Sequence, residues 1–105
     1  MTTKELKYTG AVGVIGSGSF GMTIANLLAV NLDHVILYAR RAEVVEAIKK
    51  REGDFKQLSP KVTVTQNLEE VVIQCMLLFP AVPSKSFRNL MQKMAPFLHP
   101  SHYLI

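Results

Sequence analysis

The sequence predicts an α/β domain, with one parallel sheet and helices packed on both of its faces. Three observations carry this. Strand-length apolar runs alternate with runs of helical periodicity along nearly the whole chain. Ala11 to Ile15 is apolar at every position, as a strand buried on both faces should be. A loop with glycines at 16, 18 and 21 joins that run to a helical pattern. A length of 105 residues allows one domain and one core.

The elements follow in order. Residues 1–9 are polar and read as a loose lead-in, so the domain is expected over residues 10–105. Ala11 to Ile15 is the first strand. Ser19 to about Val30 is the first helix, with Ile24, Leu27 and Leu28 expected against the sheet. His34 to Tyr38 is the second strand. Ala42 to about Lys50 is the second helix, with Val44, Val45 and Ile48 inward. Arg51 to Lys61, which contains Gly53 and Pro60, reads as a loop. Val62 to Thr65 is the third strand. Asn67 is placed as the cap of a short helix ending near Gln74, with Glu70 reaching back to complete a capping box. Cys75 to Phe79 is the fourth strand. Pro80 lacks the N–H for a ladder bond and marks either a bulge or the strand's last residue. Ser84 caps a helix running to about Met94, whose apolar stripe is Phe87, Leu90, Met91 and Met94. His102 to Ile105 reads as the start of a fifth strand, and the chain is expected to be the N-terminal piece of a longer protein.

The glycine loop gives the sheet a purpose. G-x-G-x-x-G between a strand and a helix is the context of a dinucleotide-binding turn in a doubly wound, Rossmann-type sheet. Gly16 permits the tight turn, Gly18 lets a pyrophosphate approach the backbone, and Gly21 lets the helix pack close. The free N–H groups and dipole of the first helical turn favour a phosphate. The alternative is a tight turn that binds nothing.

The end of the second strand speaks to which nucleotide. An NAD site commonly has an acid there for the ribose hydroxyls. Here the stretch is Tyr38-Ala39-Arg40-Arg41, and Glu43 already belongs to the next helix. Two arginines suit the additional 2′-phosphate of NADP through charge-assisted hydrogen bonds. The alternative is a solvated pair on a loop.

Composition narrows the classes. Twelve basic and eight acidic residues give a net charge of +4, but the basic residues are scattered and form no nucleic-acid-binding run. Cys75 is the only cysteine, which excludes an intrachain disulfide and fits a reducing compartment. Neither a signal peptide nor a membrane-length apolar run is visible, so the cytoplasm is expected. His99 and His102 lie three apart around Pro100, without an acidic or cysteine partner nearby, and no metal site is expected. Cys75 has no identifiable activator and is expected to be packing.

Taken together, the loop Gly16-Ser17-Gly18-Ser19-Phe20-Gly21, the segment Tyr38-Ala39-Arg40-Arg41 and the stretch Ala81-Val82-Pro83-Ser84 resemble the N-terminal domain of bacterial NAD(P)-dependent glycerol-3-phosphate dehydrogenases. Thr65 to Val71 is similar to that family's third-helix start. Phe20 stands where the family has tryptophan, the stretch from Arg51 to Lys61 is shorter, and Pro80 is unusual. The resemblance implies hydride transfer between NAD(P)H and dihydroxyacetone phosphate or glycerol 3-phosphate, in glycerophospholipid synthesis. It implies a cofactor-binding loop of Gly16, Ser17, Gly18, Ser19, Phe20 and Gly21, with Ser19 and Phe20 contacting the diphosphate. Arg40 and Arg41 would hold the 2′-phosphate end, and Val82, Pro83 and Ser84 would line the way to the nicotinamide. NADP is the expected cofactor, with NAD as the alternative. The family's catalytic lysines and phosphorylated-substrate site follow the fifth strand, so no catalytic residue is assigned here and these 105 residues alone are expected to be inactive. The full-length protein is expected to be a homo-oligomer. Rival readings are a ketopantoate reductase or β-hydroxyacid dehydrogenase of the 6-phosphogluconate-dehydrogenase-like superfamily, or a nucleotide-sensing module without chemistry.

Overall fold

The computed structural model describes residues 11–82, 84–98 and 102–104. Five parallel strands form one sheet: β1 Ala11–Ile15, β2 Val35–Tyr38, β3 Val62–Thr65, β4 Cys75–Pro80 and β5 Tyr103–Leu104. Their spatial order is β3-β2-β1-β4-β5. The order reverses between β1 and β4, which is the switch point where ligands sit in doubly wound sheets. Between the strands run α1 Ser19–Asn31, α2 Ala42–Lys49, α3 Leu68–Gln74 and α4 Ser84–Met94.

Alternation along the strands divides the core into two layers. Val14, Val35 and Leu37 face α1 and α2 in a cluster with Ala25, Ala29, Val45 and Ile48. Ile15 and Ile36 face α3 and α4 in a cluster with Val71, Val72, Leu90 and Met94. Burying an aliphatic side chain of this size contributes roughly 1.5–3 kcal/mol. Both layers are therefore needed to hold a sheet this small.

Three details differ from the sequence expectation. The sheet-facing side of α1 is Gly21, Ala25 and Ala29, while Leu27 is 64% exposed. Small residues let the helix axis approach the sheet; Ile24 and Leu28 pack partly buried against the same cluster as expected, and Leu27 alone of the expected three turns away. The stretch between α2 and β3 is not plain loop, because it holds a 3₁₀ turn at Gly53–Gln57 that packs Phe55 and the buried Leu58 under α1 and α2. The register of β4 shifts between Ala11 and Val12, so the irregularity is near Met76. Pro80 is the last strand residue, one of the two expected readings, and the ladder resumes beyond it with Ala81 N–H donating to Ile15 O at 2.7 Å.

The cap of α3 is half as expected. Asn67 Oδ1 accepts from the Glu70 N–H at 3.2 Å, but Glu70 Oε1 accepts from Thr65 Oγ1 instead of reaching the Asn67 N–H. Thr65 Oγ1 takes that N–H at 3.1 Å, so both donors are satisfied through a threonine that the capping-box pattern does not include. In α4, Leu90 and Met94 are buried as expected, whereas Phe87 is 43% exposed.

Arg51 fastens the connection from α2 to β3. Its backbone is left-handed, at φ 52°. Its guanidinium donates to the carbonyls of Ile48 at 2.6 Å, Leu58 at 3.3 Å, Ser59 at 2.8 Å and Val62 at 2.7 Å. Asn26 fastens the same segment to α1, donating to Gln57 O and accepting from Ser59 N–H.

Candidate nucleotide site

The carboxyl ends of β1, β2 and β4 meet at one cleft of about 440 Å³, within the ordinary range for a small-molecule site. Its walls include Gly16, Ser17 and Gly18 after β1, Arg40 and Arg41 after β2, and Ala81 and Val82 after β4. Three stretches far apart in sequence thus converge.

Each glycine has a distinct role. Gly16 has φ +124°, and a Cβ there would collide with the Ala81 carbonyl. A Cβ on Gly21 would strike the Gly16 carbonyl, so the helix seats directly on the loop. Gly18 is different: a Cβ there would meet nothing within 4 Å. Its bareness answers no crowding inside the protein and leaves the backbone open toward the cleft. Gly18 is also the N-cap of α1 and has no side chain to cap it, and the first turn contains no acidic residue. Those N–H donors are left for an anion.

The other expected residues divide. Ser19, Phe20 and Gly21 are not among the residues lining the cleft; Phe20 is 68% exposed, and Ser19 edges a smaller hollow beside Asn26 and Gln57. Ser19 and Phe20 can still offer main-chain N–H groups. Pro83 lies outside the described residues, as does the side chain of Ser84, the first residue of α4. His99 is also outside them, while His102 Nε2 donates to Val72 O at 2.7 Å. Among the described residues, no three His, Cys, Asp or Glu side chains form a metal-holding group, and no helix is long and apolar enough to cross a membrane.

Cys75 is fully buried, and desolvation pushes its thiol from 9.0 up to about 12. A thiol so protonated is neither nucleophile nor metal ligand at neutral pH.

Sequence reading missed part of the wall. Tyr38 and Leu68 line the cleft, and so do Ser86, Asn89 and Lys93 of α4. The three α4 residues recur at helical spacing, but polar residues so spaced usually mark a solvated face. Nothing local distinguishes them. The residues present fit a phosphorylated nucleotide: open backbone at Gly18, uncapped N–H donors, and cationic side chains with no Asp or Glu in the lining.

Comparison with known proteins gives the family and the fold. The family model described as the NAD-dependent glycerol-3-phosphate dehydrogenase N-terminus matches residues 11–105. The chain is 36% identical over 100 residues to a glycerol-3-phosphate dehydrogenase [NAD(P)+] of Carboxydothermus hydrogenoformans, covering 90% of this chain and 30% of that protein. It is 39% identical over 94 residues to the enzyme of that name from Myxococcus xanthus, covering 85% of this chain and 28% of that protein. The chain thus spans less than a third of the length of these curated relatives. In fold it is similar to the crystal structure of a glycerol-3-phosphate dehydrogenase from Coxiella burnetii, with a TM-score of 0.80 at 17% identity, over 90% of this chain and 31% of that one.

Proposed function

The chain belongs to the NAD-dependent glycerol-3-phosphate dehydrogenase N-terminal family, and from that premise we propose that it is the cofactor-holding part of such an enzyme, with NADP as the preferred nucleotide. The reaction is hydride transfer between NAD(P)H and dihydroxyacetone phosphate or glycerol 3-phosphate, serving glycerophospholipid synthesis. The observation that carries the reading is the single cleft joining Gly16 and Gly18 to Arg40 and Arg41 without a lining carboxylate.

When bound, the nicotinamide supplies or accepts the hydride. The chain's own residues bind and orient. Gly16 turns the backbone and Gly18 exposes it. The N–H groups at the start of α1, at Ser19, Phe20 and Gly21, receive the diphosphate with the helix dipole behind them. Ser17 lies on the same loop. Arg40 and Arg41 supply forked donors for the 2′-phosphate. Val82, with Pro83 and Ser84, leads toward the nicotinamide end. No residue among these 105 is assigned to proton transfer, and the chain by itself is not expected to turn over. We place the full-length protein in the cytoplasm as a homo-oligomer whose phosphorylated substrate binds through chain beyond this stretch.

Calorimetric titration with NADPH and NADH, with an Arg40→Ala Arg41→Ala variant alongside, tests the nucleotide preference. Charged hydrogen bonds contribute about 1.5–3 kcal/mol each, so the variant should lose tenfold or more in NADPH affinity and little for NADH. Equal binding of both nucleotides by the unmodified chain would refute the NADP preference.

A further inference from the structure

The cleft has a wall that the cofactor reading leaves without a task. Ser86, Asn89 and Lys93 stand along one side of α4 and line the cleft, while Leu90 and Met94 fix that helix to the core. α4 and α2 lie on opposite faces of the sheet, since Leu90 belongs to one core layer and Val45 to the other. Lys93 therefore comes to the cleft from the face opposite α2, whose first turn follows Arg40 and Arg41.

The cleft lining holds three cations, Arg40, Arg41 and Lys93, and no Asp or Glu. Among the described residues, none of these three side chains has a hydrogen-bond or ion-pair partner. This contrasts with Arg51, whose guanidinium donates to four carbonyls. Like charges collected around one concavity raise its potential and favour an anion there. A lysine is also the appropriate donor on the less constrained side, because its flexible point charge needs no planar match.

We propose that Lys93 is the third cationic ligand of this cleft, reaching the phosphorylated adenosine end from the α4 side and adding to the selection of a nucleotide that carries the extra phosphate. The proposal rests on the cofactor reading above.

The test uses two adenosine ligands that differ by one phosphate, adenosine 2′,5′-bisphosphate and adenosine 5′-monophosphate. Each is titrated into the chain, a Lys93→Gln variant, a Lys93→Arg variant and a Lys85→Gln control. Lys85 is exposed on α4 and is not part of the cleft lining. Lys93→Gln should weaken the bisphosphate about tenfold and the monophosphate less than about twofold. Lys93→Arg should keep the bisphosphate within about threefold, because the charge remains. Lys85→Gln should match the unmodified chain. If the unmodified chain prefers the bisphosphate and Lys93→Gln keeps that preference, the role of Lys93 is overturned while the NADP reading stands. If the unmodified chain does not distinguish the ligands, the NADP reading fails and the proposal fails with it. If Lys85→Gln has the same effect as Lys93→Gln, the effect is general charge and Lys93 is no ligand. Unfolding temperatures should be unchanged, since Lys93 is exposed, so a loss of binding reads directly on the cleft.

Discussion

Gly13 lies in the middle of β1 and Gly18 in the loop after it, and substitution should affect them in opposite ways. A Cβ on Gly13 would come within 2.8 Å of Val71 Cγ1 and 2.9 Å of Leu78 Cδ2. Gly13→Ala should therefore cost about 1–3 kcal/mol of stability through overpacking, read from the urea midpoint. A Cβ on Gly18 meets nothing, and its φ of −71° suits alanine. Gly18→Ala should leave stability within about 0.5 kcal/mol, as a surface change without strain does. It should weaken NADPH binding, because the new methyl stands where the phosphate approaches. An unchanged affinity would mean the diphosphate does not lie over Gly18. Only the second glycine was legible in the sequence, since its spacing announces a binding loop. Gly13 sits inside an apolar run, and the side chains it makes room for are brought there by α3 and by the neighbouring strand β4.

The elements show how far periodicity carries and where it stops. Strand and helix order was readable because apolar runs and turn residues alternate cleanly. The buried side of α1 was readable only in part, because Ile24 and Leu28 pack on the core but the sheet takes Gly21, Ala25 and Ala29 closest and leaves Leu27 outside. Close approach prevails there over hydrophobicity, and a pattern based on residue polarity cannot see it. The cleft-facing side of α4 was hidden for the converse reason, since Ser86, Asn89 and Lys93 look like any solvated stripe. The segment after α2 depends on tertiary bonds from two side chains, Asn26 and Arg51, with most of them from Arg51. Arg51→Met should cost about 2–4 kcal/mol, since it strands several carbonyls that now receive a charged donor. Arg51→Lys should recover little, because an ammonium lacks the planar fork that meets four acceptors. Denaturant unfolding of the pair measures both, and full recovery by lysine would show that charge alone holds the segment.

At the scale of the molecule, the two core layers share one sheet, and Cys75 sits fully buried in the layer under α3 and α4. Its thiol is pushed up to about 12 by desolvation, so the folded chain holds that proton after the unfolded chain has lost it. Stability from this group is complete below about pH 9 and declines as pH rises toward 12. The urea midpoint of the unmodified chain should fall more steeply across that range than that of Cys75→Ala, and parallel slopes would contradict the assignment. The same burial should protect the thiol from alkylation at pH 8 until denaturant is added.

The bonds of Arg51 have a consequence for how this molecule tolerates sequence change. All four acceptors are main-chain carbonyls, which every amino acid carries. Exposed neighbours such as Glu52, Lys56 and Gln57 can therefore drift in identity without removing a single partner. The connection from α2 to β3 thus depends closely on the letter at 51, while the exposed letters beside it are nearly free.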